Sequence, residues 1–383
     1  SSEDLFSVKI SDFLNEDRQS IRIDPQGDFS LSMFGLYEGD AQLSGKPISD
    51  TSPYLEVSPI DYPTYLGIRK YDHFDQIRAR WMGYRQEEFS FDEDNQEYPV
   101  RVVFLQPDEK YAHFSTITYR FLKPGPYYLF HGGAPRRVST TGDDVITYTP
   151  MGELLRSRTD LSPDYLVAGW YWDKEILDNK REDLAGLPSV LEENISIRLD
   201  TLAKGRKGTD ALLFFRDYFS SNFTYSDSSR YPLNQRDFLG WFLDEKEGFC
   251  VHYATAMTLI AAEYGFPSRY VEGFVLPADR TILGSFEAHA WSEIYITEIG
   301  WVPFDATPAS YQEQLLVRGA PVETSYRLPS WQDEDELPAR DLPERRPPAS
   351  ADTTPPQTDG EAESEPERLA FTPQRVMCMV SVK

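Results

Sequence analysis

The sequence predicts an α+β protein in which a β-rich region precedes a core of helices followed by strands. Three observations indicate this class: short β-branched and aromatic runs early in the chain, apolar residues at helical spacing beyond about position 185, and strand-like segments after those helices. We therefore divide the 383 residues into a sandwich-like β-rich domain over 1–175, a core over 185–325 and a tail over 331–383.

The β-rich domain is predicted from its short strands and the turn residues between them. Turns such as the Pro-Gly-Pro sequence at 124–126 separate runs that alternate with polar neighbours, as half-buried strands do. His73, His113 and His131 are scattered through this region, so we interpret them as surface or packing residues rather than ligands. The predicted strands cover residues 21–23, 31–34, 100–104, 117–121 and 145–148.

Two helices are predicted in the core from the spacing of apolar residues. Leu212, Phe215 and Phe219 recur on one face after a Gly-Thr-Asp start. The second helix runs from about Cys250 to Tyr264, because the following glycine tolerates a left-handed cap and the proline two positions later cannot continue a helix. The strands predicted after it cover 269–275, 289–296 and 300–304.

The tail differs sharply in composition from the rest of the chain. Residues 331–368 hold twelve acidic residues, four basic residues and seven prolines, with few apolar side chains. Such a segment cannot offset its ordering entropy by burial, so we predict a disordered linker. Residues 369–383 fit no motif.

The net charge and the cysteine count exclude several classes of protein. A formal charge of −25 argues against binding nucleic acid or anionic lipid through a basic surface. Two cysteines, Cys250 and Cys378, are too few for a disulfide framework or a four-thiolate zinc site. No apolar run reaches the ~20 residues that span a bilayer. Because the sequence begins without Met or a signal peptide, we expect a soluble, excised or processed piece.

Three segments supply residues suited to thiol chemistry. Cys250 opens the second helix, where the positive end of the helix dipole favours the reactive thiolate. His289, on a predicted strand, can lower the thiol pKa and later protonate a leaving amine. Asp305, one hairpin later, can hold the imidazole in the required tautomer and orientation. Together they are the candidate nucleophile, base and orienting group.

Less reactive interpretations of the same residues also fit. A single cysteine at the start of an apolar helix is usually a small buried apolar residue. Zinc binding by Cys250 and His252 is disfavoured, since residues two apart in a helix point to different faces and no further cysteine is near. No G-x-S-x-G motif supports a serine nucleophile.

The motifs taken together resemble the transglutaminase-like superfamily over roughly residues 200–310. The resemblance implies a papain-like core with a Cys-His-Asp triad formed by Cys250, His289 and Asp305. It also implies that Tyr225, within an F-x-Y segment, lines the site or assists the oxyanion, with an aromatic core role as the alternative. The matching motifs are G-F-C at 248–250, G-F-P-S-R-Y-V-E-G at 265–273, H-A-W-S-E at 289–293 and D-A-T-P at 305–308.

The activity implied by this resemblance is acyl transfer from glutamine side-chain carboxamides through a thioester, giving cross-linking or deamidation. The alternatives are a cysteine peptidase or amidase with the same triad, and a non-catalytic binding or scaffold module on the same fold. The expected partners are proteins that carry glutamine side chains and amine acceptors such as lysine. We expect no cofactor and no metal, calcium included, because the acidic residues lack EF-hand spacing.

The layout resembles bacterial membrane-anchored proteins that carry a transglutaminase-like domain outside the cytoplasm. The resemblance implies a periplasmic or extracytoplasmic location within an inner-membrane protein. Contact with the membrane is then expected only through segments absent from this chain, with the acidic tail as the tether.

Overall fold

A computed structural model describes most of the chain between Ser52 and Pro308, together with a short C-terminal strand. Predicted strands at 21–23, 31–34 and 100–104, and residues 331–378 of the tail, lie outside the described residues. The described residues are 52–82, 89–90, 112–123, 126–140, 145–149, 151–156, 164–172, 191–226, 228–232, 235–297, 299–308 and 379–381.

The described secondary structure mixes strands and helices, which confirms the α+β prediction for the core and β-rich sheets for the N-terminal region. The strands are β1 (Leu55–Val57), β2 (Thr64–Tyr71), β3 (His73–Asp75), β4 (Arg80–Met82), β5 (Phe89–Ser90), β6 (Ala112–Phe121), β7 (Tyr128–Leu129), β8 (Ala134–Thr140), β9 (Ile146–Tyr148), β10 (Leu154–Arg156), β11 (Tyr165–Trp172), β12 (Thr224–Tyr225), β13 (Glu247–Gly248), β14 (Ser268–Leu276), β15 (Ile282–Leu283), β16 (Ala288–Ile296), β17 (Gly300–Phe304) and β18 (Met379–Ser381). The helices are α1 (Glu193–Ala203), α2 (Gly208–Asn222), α3 (Phe238–Glu245) and α4 (Cys250–Glu263).

The N-terminal region forms several sheets, and one of them includes β15, a strand from the core part of the sequence. One sheet has the order β15-β1-β6-β11-β8, so the short β15 strand from the core pairs with β1. A second sheet has the order β5-β9-β10-β7. The strands predicted at 117–121 and 145–148 correspond to the end of β6 and to β9. β18 pairs in parallel with β3 and so joins the short sheet β18-β3-β4.

The core sheet combines strands from both sides of the predicted boundary at 175–185. Its order is β17-β16-β14-β2, and β2 pairs antiparallel with β14 from Thr64↔Leu276 to Tyr71↔Tyr270. All but one residue of β2 are buried, as expected for a strand covered on both faces. Because β2 lies beside β14, residues from the N-terminal region reach the sheet that carries His289.

Helix α4 packs against β14 and β16 and is buried over almost its whole length. Its buried hydroxyl groups are satisfied locally: Ser268 Oγ donates to the Thr258 carbonyl at 2.8 Å, and the Ser292 hydroxyl lies 2.6 Å from that of Thr258. The helix ends at Glu263, where Gly265 adopts φ +87°, close to the predicted end at Tyr264. The described helices α1 and α3 were not predicted from the sequence.

A buried cluster of charged side chains joins the core sheet to the β-rich region. Arg69 Nε lies 3.3 Å from Glu153 Oε1, and Arg269 Nε lies 2.7 Å from Glu293 Oε2. Lys70 contacts the same cluster, and burial, followed by the charge of Arg269, lowers its pKa to about 7. Buried charges are tolerated when they are paired and hydrogen-bonded. The Arg69–Glu153 pair connects β2 of the core sheet to the residue before β10, whereas Arg269 and Glu293 pair between neighbouring strands of the core sheet.

Candidate active site

Cys250 is the first residue of α4 and is fully buried. The strand β13 leads directly into the helix, with Phe249 as the N-cap residue. A Cβ atom at Gly248 would lie 2.9 Å from both His252 Nδ1 and Phe242 Cε2, so glycine is required where the chain turns into the helix. Cys250 therefore lies directly after this turn, at the positive end of the helix.

His289 and Asp305 form a buried ion pair on two adjacent strands. His289 is the second residue of β16, and Asp305 follows the last residue of β17. The imidazole Nε2 lies 2.8 Å from Asp305 Oδ2. The other carboxylate oxygen, Oδ1, accepts a 2.9 Å hydrogen bond from the Thr307 backbone amide, which closes a tight turn in the D-A-T-P segment.

Cys250 interacts with the His289 imidazole and favours its protonated form. Because Nε2 faces Asp305, Nδ1 is the ring nitrogen that remains for an interaction with the thiol. Burial alone would lower the pKa of His289, but the charge and hydrogen bond of Asp305, together with Cys250, raise it to about 10. Burial likewise opposes ionisation of Asp305, yet the imidazole holds the pKa of this carboxyl below its usual range. An imidazolium–carboxylate pair beside the thiol is therefore the favoured state at neutral pH.

Tyr65 is a site residue that the sequence analysis missed. Its hydroxyl donates to Asp305 Oδ2 at 2.9 Å, although the two residues are 240 positions apart. The strands predicted from the sequence do not include Tyr65, and no local motif identifies the partner of its hydroxyl.

Trp291 packs beside the imidazole rather than pointing to solvent. Its ring centroid lies 6.3 Å from that of His289, nearly parallel, and 5.0 Å from that of Tyr65. Gly273 makes room for it, since a Cβ on Gly273 would lie 2.9 Å from Trp291 Cη2 and 2.0 Å from a backbone oxygen. The indole therefore forms one wall around the imidazole.

Trp301 packs against the buried ion pairs instead of the imidazole. The guanidinium carbon of Arg269 lies 4.1 Å from the centre of its ring, and the same guanidinium pairs with Glu293. Arg269 belongs to the G-F-P-S-R segment and Glu293 to the H-A-W-S-E segment. The two motifs are therefore joined by an ion pair across β14 and β16.

Tyr225 lies beside the strand that leads into Cys250. It pairs with Gly248 through the parallel strands β12 and β13, and Ser226 N donates to the Gly248 carbonyl at 2.7 Å. Its ring is partly buried and parallel to that of Tyr253, with centroids 6.4 Å apart. This position is compatible with a residue that lines the site and with an aromatic core residue. A role of Tyr225 in catalysis stays a prediction.

His252, the second zinc candidate, is enclosed by aromatic rings. Its Nδ1 accepts a 3.4 Å hydrogen bond from the Phe249 backbone amide, and the Phe249 ring lies 4.4 Å from the imidazole. Over the described parts of the chain, no group of three His, Cys, Asp or Glu side chains is arranged to hold a metal ion. In those same parts, no helix is long and apolar enough to cross a membrane.

The fold and the site define the class of protein. Residues 196–306 match the model of the transglutaminase-like superfamily. This match confirms the resemblance that the sequence motifs indicated. The matched range contains Cys250, His289 and Asp305, but it excludes β2 and with it Tyr65.

Particular relatives are found among bacterial proteins. The chain is 30% identical to the uncharacterized protein YebA of Bacillus subtilis over 134 residues, which is 32% of this chain and 18% of YebA. It is 41% identical to a protein-glutamine gamma-glutamyltransferase of Pseudomonas aeruginosa over 76 residues, which is 18% of this chain and 11% of that protein. The matches thus span less than a fifth of either relative.

The fold is similar to that of a solved bacterial domain. The crystal structure of the periplasmic domain of TgpA from Pseudomonas aeruginosa aligns with a TM-score of 0.51 and 18% identity, covering 70% of this chain and 92% of that one. The same domain bound to ethylmercury aligns with a TM-score of 0.50 and 19% identity, covering 70% and 94%. At this identity the likeness establishes the shared fold.

Proposed function

We propose that this chain is a thiol acyltransferase that acts on glutamine side-chain carboxamides. Cys250 is the nucleophile, His289 the general acid and base, and Asp305 the group that orients the imidazole. The observation that carries the proposal is the buried His289–Asp305 pair, with Nε2 and Oδ2 2.8 Å apart, on a sheet packed by the helix that begins with the buried Cys250.

In the first half-reaction the Cys250 thiolate attacks the carboxamide carbon. A C–S bond forms and the carbonyl oxygen takes negative charge, which the amide groups at the start of α4 are suited to stabilise. The C–N bond then breaks, and the His289 imidazolium donates its proton so that the nitrogen leaves as ammonia. Asp305 keeps the imidazolium oriented during this step, and the product is a thioester on Cys250.

In the second half-reaction an amine or water attacks the thioester. Neutral His289 accepts a proton from the attacking nitrogen or oxygen, the C–S bond breaks, and Cys250 leaves as the thiolate. A lysine amine gives an isopeptide cross-link, whereas water gives deamidation. Both outcomes share the same acyl-enzyme and differ only in the acceptor.

We also propose the setting in which this reaction takes place. Proteins with accessible glutamine side chains are the donors, and lysine or other amines are the acceptors, in line with the gamma-glutamyltransferase named among the relatives. A periplasmic or extracytoplasmic location, within an inner-membrane protein, is supported by the fold shared with a periplasmic domain.

The test is incorporation of a fluorescent primary amine into a glutamine-containing protein. Wild type is compared with Cys250→Ala and His289→Ala, and Cys378→Ala serves as the control for the other cysteine of the chain. We expect incorporation by wild type and the control and its loss in both site variants. Amide hydrolysis without incorporation would reassign the chain to the peptidase or amidase alternative. Absence of both activities, with a thiol that alkylates no faster than free cysteine, would favour a binding module.

A further inference from the structure

One carboxylate oxygen of Asp305 receives two hydrogen bonds from different parts of the chain. His289 Nε2 lies 2.8 Å from Oδ2, and the Tyr65 hydroxyl donates to the same atom at 2.9 Å. Tyr65 is on β2, which lies outside the matched superfamily range of 196–306. A residue of the N-terminal region therefore contacts the group that orients the candidate base.

The position of the Tyr65 ring is set by main-chain pairing and by packing. Its backbone pairs with Val275 in the antiparallel ladder between β2 and β14. The ring lies 5.0 Å from that of Trp291 and 6.4 Å from that of His289, measured between centroids. Neither the backbone pairing nor the ring packing depends on the hydroxyl group. Removing the hydroxyl should therefore leave the ring in place.

The Tyr65 hydroxyl is suited to donate a hydrogen bond but not to exchange a proton. Burial, followed by the negative charge of Asp305, raises its pKa well above the usual value. It therefore stays protonated wherever the imidazole titrates. Because the Thr307 amide binds Oδ1 at 2.9 Å, the tyrosine and this amide together fix both oxygens of the carboxylate.

We propose that Tyr65 is a positioning residue for the acyl-transfer site, which fixes the orientation of the Asp305 carboxylate and takes up part of its negative charge. This inference depends on the proposed function. A hydrogen bond donated to a carboxylate reduces the charge that it presents to its other partner. Tyr65 therefore limits how strongly Asp305 retains the proton on His289, which must be released to the leaving nitrogen. The β-rich region accordingly completes the site.

The first test compares Tyr65→Phe with Tyr71→Phe in the amine-incorporation assay. Both changes remove one hydroxyl from β2, but Tyr71 packs on Tyr270 and Arg69 rather than on Asp305. For Tyr65→Phe we expect kcat to fall roughly tenfold to a hundredfold with KM little changed, which is the effect of losing a hydrogen bond to a charged group. The upper limb of its pH–rate profile should move to higher pH. Tyr71→Phe should match wild type in both respects.

The second test measures the alkylation rate of Cys250 by iodoacetamide as a function of pH, in a Cys378→Ala background. Without the Tyr65 hydroxyl, Asp305 stabilises the His289 imidazolium more strongly, so the pH dependence of the alkylation rate should differ between Tyr65→Phe and wild type. The same change in an Asp305→Asn background should have no further effect on the profile, because the hydroxyl acts through this carboxylate. Thermal unfolding of each variant checks that the fold is retained.

The outcomes separate this inference from the proposed function. The positioning role of Tyr65 would be overturned if Tyr65→Phe left both the kinetics and the alkylation profile unchanged. It would also be overturned if Tyr65→Phe still altered the alkylation profile in the Asp305→Asn background. A Tyr65→Phe variant that does not fold would assign the hydroxyl to stability and overturn it as well. If wild type incorporates no amine, the proposed function fails, while the alkylation series still decides whether Tyr65 acts through Asp305.

Discussion

The hydroxyl groups of Thr258 and Ser292 lie 2.6 Å apart in the interior and join the helix that carries Cys250 to the strand that carries His289. Thr258 Oγ1 also donates a 2.8 Å hydrogen bond to the Ala254 carbonyl. Because a hydroxyl has a single proton to donate, Thr258 accepts from the Ser292 hydroxyl in the contact between the two side chains. The contact connects the two elements about two helical turns away from Cys250, where apolar packing alone would not define their relative position.

Ser292→Ala removes this contact without leaving Thr258 Oγ1 unbonded, because its hydrogen bond to Ala254 remains. We expect the free energy of unfolding to fall by about 1 kcal/mol, the net value of one buried hydrogen bond. Urea unfolding measures the change. The matched control is Ser196→Ala on the exposed surface of α1, where the change should stay within about 0.5 kcal/mol. Equal effects in the two variants would contradict the prediction.

Gly248→Ala should impair activity more than stability. The new methyl group would lie 2.9 Å from atoms of His252 and Phe242, so the start of α4 must shift and displace Cys250. We expect a loss of about 1–3 kcal/mol in stability, typical of overpacking, and a large fall in amine incorporation. Gly205→Ala is the control: its Cβ meets open space, and its φ of +78° costs stability without moving the site. Normal activity in Gly248→Ala would contradict the prediction.

The His289–Asp305 pair should make stability depend on pH within a defined window. Against the effect of burial, Asp305 raises the folded-state pKa of His289 from 6.5 to about 10. The contribution of the pair is therefore complete below pH 6.5 and is lost as pH rises toward about 10. The pKa of Asp305 is lowered from 3.8, so the contribution is also lost on acidification below that value. Urea unfolding across this pH range should show that the free energies of unfolding of wild type and Asp305→Asn differ least at the two ends of the range. A difference that stays constant with pH would contradict the prediction.

Arg269→Met should destabilise the fold strongly, because it leaves Glu293 buried beside fewer positive charges. The cost expected for breaking a buried ion pair is about 3–5 kcal/mol. Arg198→Met removes a surface pair with Asp244, whose side chain is 72% exposed, and should cost about 1 kcal/mol or less. Thermal and urea unfolding of the two variants give the comparison. Similar losses in both would show that burial does not determine the strength of the Arg269 pair.

Local signals explain which elements were predictable. Apolar spacing and the Gly-x-Pro stop located α4 from Cys250 to within one residue of its observed end at Glu263. The predicted strands 269–275, 289–296 and 300–304 correspond to β14, β16 and β17, because alternation and turn residues are local features. Helices α1 and α3 were missed; α3 has only eight residues, about two turns, in which an apolar spacing has little length to repeat.

By itself the sequence determined the class of the protein, because the superfamily motifs consist of neighbouring residues whose order and spacing survive in the unfolded chain. It also located Cys250, His289 and Asp305 as candidates for acyl transfer. Only the tertiary structure decided that β2 joins the core sheet and that the Tyr65 hydroxyl meets Asp305. Strand pairing and side-chain contacts between residues 240 positions apart depend on packing of the whole fold, which leaves no local pattern in the sequence.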